Sequence, residues 1–203
     1  MNEQIPLAPV RTTQFAEGLP RRCWSVTEFE KMAAIGLFSE GRLEDERLEL
    51  LRGDIVPRSP QTPRHELVRS ELYHRWAGLA AYRIYKVATF ASFIADDHSY
   101  LFPDFSVIAD ATDFSNITPE TVLLIVEVAE PELAKDLKYK TEIYAAAGIP
   151  DYWVINAATL VTTVFRDPTD AGYRSRTEIA SDQPLTPLAA PELAIALDEL
   201  GIR

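Results

Sequence analysis

Glu127 stands alone among apolar neighbours in LLIVEVA, and a carboxylate in such a run is costly unless a cation or hydrogen-bond donors meet it. Asp104 follows Pro103 at the head of a second apolar segment, PDFSVIAD. If these segments are neighbouring strands, their acids converge on one ion from adjacent strand ends. Hard carboxylate oxygens suit Mg²⁺ or Mn²⁺. Asp104 and Glu127, with the Val128 carbonyl, are therefore candidate metal ligands. Asp136, Lys140 and Tyr144 recur every four residues and so line one face of a helix. By spacing alone, Asp136 and Lys140 read better as a surface ion pair worth about 0.2–0.5 kcal/mol. Position argues the other way, because the helix follows the Glu127 segment directly and can bring Lys140 to the same face. Phosphodiester hydrolysis needs a metal to offset developing charge and to acidify water. A lysine at Lys140 would orient that water and stabilise negative charge.

These residues need a sheet and helices to hold them. TVLLIVEVA is nearly continuous, apolar and β-branched, as a central strand covered on both faces should be. RLELLRGDIVP predicts a hairpin turning at Arg52-Gly53, with Leu48, Leu50, Ile55 and Val56 as core candidates. RIYKVATF, ASFIA and PDFSVIAD predict further strands, with an Asp-Asp-His-Ser turn between the last two. DYWVIN, LVTTVFR and GYRSRTEIA add three more, and the C-terminal segment predicts a short strand with a final helical turn.

Three helices are expected. The first carries a capping-box spacing at Thr27 and Glu30 and stops near Gly36. The second spans 65–81, with Leu67, Val68, Leu72, Trp76 and Leu79 as its apolar face. The third spans 133–147 and ends at Gly148 and Pro150. This order describes an α/β sandwich with a central mixed β-sheet flanked by helices. Residues 1–22 read as an extended arm and 23–203 as a single domain, with no internal repeat.

Composition narrows the function classes. A hydrophobic fraction of 47% is enough for a sizeable core. The single cysteine, Cys23, leaves no internal disulfide and no Cys-based zinc cluster, and reads as a small half-buried apolar group. His74 and His98 have no sequence partner that suggests zinc. No stretch is apolar and long enough for a signal peptide core or a membrane span, so a cytoplasmic protein is expected. The net charge of -11 disfavours nucleic-acid binding, which draws on Lys and Arg. Carboxylates that hold a metal account for part of that excess.

The motifs together resemble the Uma-two family of restriction-endonuclease-like proteins, a former domain of unknown function in the PD-(D/E)XK nuclease superfamily. The matching pieces are Glu49 in LELLRGDI, His65 after Ser59-Pro60, Pro103-Asp104, Glu127 in LIVEVAEP, and the run Asp136, Lys140, Tyr144, Gly148, Pro150, Tyr152, Trp153. The resemblance implies a restriction-endonuclease-like fold and a Mg²⁺- or Mn²⁺-dependent endonuclease acting on DNA, in which Glu49 lies near the site as a further catalytic residue that completes the metal shell through a water. Nucleases of this fold often cut two strands with paired sites, which makes a homodimer the expected partner arrangement. His65 is either a helix cap or surface group, as polar residues at helix starts usually are, or a substrate contact. Tyr144 is a packing residue that braces Lys140, close enough to the substrate to count with it. Tyr152 and Trp153 begin a strand and are expected in the core.

Two departures stand out. The usual lysine two residues after the glutamate is replaced by Ala129, so that role maps to Lys140 on the following helix. The family's Ser-Pro-Ser-Thr is Glu130-Pro131-Glu132-Leu133 here, which adds two negative charges. Those charges favour a second reading, a catalytically silent nuclease-fold module that binds a protein partner.

Overall fold

The apolar run around 122–129 forms the strand that its composition predicts, and the other elements are arranged around it. The computed structural model describes residues 21–38, 48–58, 61–80, 84–114, 117–130 and 136–202. The proposed arm lies outside them except for its last two residues.

Six strands make the larger sheet: β3 (Tyr85–Ala88), β6 (Phe105–Ala109), β7 (Val122–Ala129), β8 (Asp151–Asn156), β9 (Thr162–Thr169) and β10 (Gly172–Ile179). Their order is β10-β9-β8-β7-β6-β3. β7 and β8 pair in parallel and the other neighbours antiparallel, so the sheet is mixed as expected. A parallel pair needs a crossover connection. Here the crossover carries a π-helical turn at Asp136–Lys140 and then helix α3 (Thr141–Ala146).

β7 is buried on both faces, and its side chains alternate between them with the period of two that an extended strand imposes. Val126 and Val128 join Trp153 and Ile155 against Val68, Leu72 and Trp76 of helix α2 (Pro63–Ala80). Ile125 and Ala129 face the other way, with Tyr152 and Val154, against Ile143 and Tyr144. Glu127 shares this second face by the same alternation. Each fully buried Val, Leu or Trp contributes roughly 1.5–3 kcal/mol by leaving water. The indole N–H of Trp76 donates to the Leu193 carbonyl at 2.9 Å, so even the largest core side chain is polar-satisfied.

A second, four-stranded sheet lies beside the first, and the sequence does not announce it. It has the order β2-β1-β5-β4, from β1 (Leu48–Leu51), β2 (Asp54–Pro57), β4 (Phe93–Asp96) and β5 (Ser99–Leu101). β5 is only three residues long, squeezed between the Asp-Asp-His turn and Pro103, which is too short for an alternation to show. The β1–β2 hairpin turns at Arg52-Gly53 as predicted, with φ of 50° and 85°. Positive φ at both central residues matches the twist of a tight hairpin. A Cβ on Gly53 would stand 2.4 Å from Cys23 Sγ, so glycine is needed there on two counts.

Several local expectations are corrected. Helix α1 (Val26–Ala34) is capped by Ser25 and Glu28 rather than by Thr27 and Glu30. The same i, i+3 spacing occurs twice, and the earlier pair wins because Val26 and Phe29 are the residues that bury. Leu67 is 42% exposed, since the stripe Val68, Leu72, Trp76 leaves it a hundred degrees off the core. Cys23 is exposed rather than half-buried. Of the hairpin's core candidates only Leu50 is fully buried. The C-terminal strand reduces to one bridge, Leu185 with Ile195, followed by short 3-10 turns.

Candidate active site

Strand pairing brings the two acids side by side. β6 runs antiparallel to β7 with Phe105 opposite Val126, so Asp104, one residue earlier, stands across from Glu127. The two meet a third carboxylate, Glu49, from the middle of β1. Lys140 reaches β7 and β1 from the π-helical turn. Its Nζ lies 2.8 Å from Glu127 Oε1, 3.2 Å from Glu49 Oε1 and 3.4 Å from Asp136 Oδ1. The crossover was expected to be a regular helix over 133–147, but residues 133–135 lie outside the described residues and 136–140 form the wider turn. Such turns concentrate at functional sites. Here the Asp136 carbonyl accepts from Thr141 Oγ1 at 2.9 Å and from the Tyr152 hydroxyl at 3.1 Å.

Glu127 Oε1 also accepts from the Tyr144 hydroxyl at 3.0 Å. Asp104 is met by different donors. Its Oδ2 takes the Val128 N–H at 2.8 Å and lies 3.1 Å from His65 Nε2, and its Oδ1 takes the Arg58 guanidinium at 3.3 Å. Arg58 Nε stands 3.7 Å from Glu49 Oε1, which in turn accepts from the Phe102 N–H at 3.3 Å. Glu49, His65, Asp104, Glu127, Asp136, Lys140 and Tyr144 are all buried. A surface ion pair between Asp136 and Lys140 is thereby ruled out.

Buried charge sets the electrostatics. With every carboxyl ionised, Glu49, Asp104, Glu127 and Asp136 would outnumber the two permanent cations, Arg58 and Lys140, by two. Glu127 carries the consequence. Burial pushes its carboxyl up to about 8, with Asp136 and Asp104 adding to the rise and Lys140 opposing it. Burial would raise Asp104 too, but the hydrogen bond and charge of His65, then Arg58 and the Val128 N–H, hold it below the usual aspartate range. Burial would lower Lys140, and Glu127, Glu49 and Asp136 hold its ammonium well above its ordinary value. Burial and the same acids raise the Tyr144 phenol, so its proton stays on as a donor.

Residues 26–198 match the model of the Uma2 family, described as "Putative restriction endonuclease". The chain belongs to the Uma2 family. No curated protein matches it. One solved structure is titled "Crystal structure of a putative nuclease belonging to DUF820 from Anabaena variabilis ATCC 29413 at 1.96 A resolution". It aligns with a TM-score of 0.68 at 16% identity, covering 87% of this chain and 96% of that one. At that identity the likeness shows the fold, in keeping with the α/β sandwich of the element order and the restriction-endonuclease-like fold that the resemblance implies.

The Uma2 chain has a donor set that suits a hard divalent cation. Four carboxyls gather in one buried cluster, and every candidate ligand is an oxygen. Among the described residues no three His, Cys, Asp or Glu side chains converge into a ready cage. Mg²⁺ is commonly held by one or two carboxylates with waters and substrate phosphates completing its shell. Asp104 and Glu127 fit that pattern. Val128 donates its N–H to Asp104, so its main chain meets that acid directly.

Two residues of the cluster had no role in the sequence reading. Arg58 lies in PRSPQTP, which reads as a connecting loop, and nothing in its spacing ties it to Asp104. Asp136 was singled out for its helix face only, whereas it is a buried member of the charge cluster. His65 proves to be neither a cap nor a surface group, since its ring reaches Asp104 from the first turn of α2. Glu130 is bound by the Thr62 hydroxyl at the start of α2, where a negative charge complements the helix end. Glu132 lies outside the described residues. His74 is exposed, and His98 Nδ1 sits 2.9 Å from the Trp24 carbonyl and 3.5 Å from Cys23 Sγ, away from the acids.

Proposed function

We propose that this chain is a metal-dependent endonuclease that hydrolyses phosphodiester bonds in DNA, with Asp104, Glu127 and Lys140 at its centre. The observation that carries the reading is the buried cluster, where the carboxyls of Glu49, Asp104, Glu127 and Asp136 outnumber the permanent cations Arg58 and Lys140 by two, so that Glu127 keeps a proton that a metal ion would replace. Family membership supports the reading as well.

Asp104 and Glu127, with the Val128 carbonyl, would hold Mg²⁺ or Mn²⁺. Such an ion supplies Lewis-acid stabilisation of the phosphate and a more acidic water. Lys140 keeps its ammonium under the pull of three acids, and its role is to orient the attacking water and offset charge on the phosphate oxygens. Tyr144 fixes the Glu127 carboxyl through its hydroxyl. His65 fixes Asp104, and Glu49 fixes the ammonium of Lys140 and completes the site's charge. A homodimer in the cytoplasm would place one centre on each DNA strand, and the lone unpaired cysteine fits a reducing compartment.

The test is cleavage of duplex DNA, single-stranded DNA and RNA by purified protein in Mg²⁺ and in Mn²⁺. Wild type is expected to cut DNA, and Asp104→Ala is expected to be inactive while still folded by circular dichroism. Failure to cut any substrate under either metal, or an Asp104→Ala variant as active as wild type, overturns the proposal.

A second reading has one observation in its favour. Every acid of the cluster is buried, and Asp104 already has three donors on its two oxygens. A silent module of nuclease fold would look like this. Calorimetric titration with Mn²⁺ separates the two, because an enzyme must bind the ion and a silent module need not.

A further inference from the structure

A cavity of about 380 Å³ opens between α1 and the smaller sheet, and it falls in the size range of small-ligand sites. Phe29, Phe38, Phe90, Tyr100 and Phe102 line it with aromatic rings, and Arg58 and Glu30 are its charged lining residues. Two of these residues also belong to the acidic cluster. Arg58 bridges Glu49 and Asp104 with its guanidinium, and the Phe102 N–H donates to Glu49. The cavity and the candidate active site are therefore separated by a single layer of side chains.

Phe90 adds an independent sign. Its φ is 51°, a left-handed backbone that a bulky side chain rarely takes. Strain of this kind costs about 1–3 kcal/mol and collects at ligand-binding positions. In this conformation the ring faces the guanidinium groups of Arg69 at 4.5 Å and Arg58 at 5.5 Å. The cavity thus combines flat aromatic walls with guanidinium charge beside the Phe90 ring and one acidic lining residue, Glu30, in a protein of net charge -11. A ligand that matches has a flat ring at one end and an anion at the other, which is the chemistry of a nucleotide. Aromatic walls accept any base through its π face.

We propose that this cavity receives one unstacked nucleobase of the substrate strand, with the adjoining phosphate directed past Arg58 toward Glu49, Asp104 and Lys140. The proposal rests on the nuclease reading for the identity of the strand. It adds that the substrate must be single-stranded, or opened, at the base beside the cut.

Two measurements on the full chain test it. In the first, thymidine 5′-monophosphate and 2-deoxyribose 5-phosphate are titrated into metal-free protein by calorimetry. The nucleotide is expected to bind at least about tenfold more tightly, given the usual worth of base stacking. Phe102→Leu, which keeps apolar volume and removes the π face, is expected to abolish most of that difference while leaving the sugar phosphate unaffected. In the second, DNA strands with an abasic position stepped along the sequence are cleaved in Mn²⁺. Cutting is expected to fall about tenfold where the abasic position coincides with the base beside the cut.

Equal binding of nucleotide and sugar phosphate, with cutting indifferent to abasic positions, overturns the cavity proposal and leaves the nuclease reading standing. Base-dependent binding that Phe102→Leu removes, in a protein that cuts nothing, upholds the cavity and overturns the nuclease. Self-association that buries the same rings, detected as loss of the nucleotide site on dimerisation, overturns the cavity proposal as well.

Discussion

Two buried carboxylates begin or interrupt adjacent strands of the larger sheet, and their surroundings differ in one respect. Asp151, at the start of β8, is met by the Trp153 indole N–H at 2.8 Å, the Leu188 N–H at 2.9 Å and two nitrogens of Arg166 at 3.0 and 3.3 Å. One acid has one cation, and both its oxygens are occupied. Glu127, on β7 beside it, shares Lys140 with Glu49 and Asp136. The Asp151 network is balanced and ties the strand to the C-terminal segment. The Glu127 network is overdrawn in negative charge. Burial alone therefore says little about function, since both acids are fully enclosed. The balance of charge around each one is what would separate a structural role from the ion site proposed above.

If that contrast is right, the two regions should fail in different ways. Lys140→Met keeps the length and volume of the side chain and removes its charge. It is expected to lower DNA cleavage by at least about 100-fold, the scale for losing one stabilising donor at a reaction centre. Residual activity within a few fold of wild type would dissolve the distinction. Asp151→Ala should do the opposite. It leaves a buried indole N–H and a backbone N–H unmatched and releases Arg166, at a cost of about 3 kcal/mol in urea unfolding. Cleavage per folded molecule should be unchanged. A loss of activity without loss of stability would place Asp151 in the same class as Glu127.

Much of this contrast was legible in the sequence, though unevenly. Glu127 shows itself because a single charge in LLIVEVA breaks an otherwise apolar run, and the register of β6 on β7 then delivers Asp104 opposite to it. The parallel β7–β8 pair and its helical crossover follow from the same pattern. Asp151 gives no such signal, since an aspartate at the start of DYWVIN looks like a turn residue. Arg58 is silent for another reason. Its partners, Glu49 and Asp104, lie 9 and 46 positions away, and only the second sheet, which forms from four segments of three or four residues each, brings them together. Short strands carry too few side chains for a period of two to be read. The wider turn at 136–140 is likewise invisible in a pattern that fits a regular helix equally well.

The finest test of the contrast is the pH dependence of stability. Glu127 has an ordinary value near 4.5 and is pushed up to about 8 in the folded protein. Below pH 4.5 it is protonated in both states, and its full contribution to stability is present. Between 4.5 and 8 the folded state holds a proton that the unfolded chain has released, so stability falls as pH rises through that window. The slope cannot exceed about 1.4 kcal/mol per pH unit for one proton. Asp104 is depressed, so its contribution is lost only as pH falls below the ordinary aspartate range, and it leaves the window from 5 to 8 to Glu127. Unfolding by urea in the absence of metal should therefore show declining stability from pH 5 to 8. Glu127→Gln, which cannot ionise, should flatten the decline. Mn²⁺ should reverse it in the wild type, because ionised Glu127 is the form that binds and each ion taken up releases a proton. A wild-type profile already flat without metal would mean that the cluster holds no surplus charge, and the distinction from Asp151 would vanish.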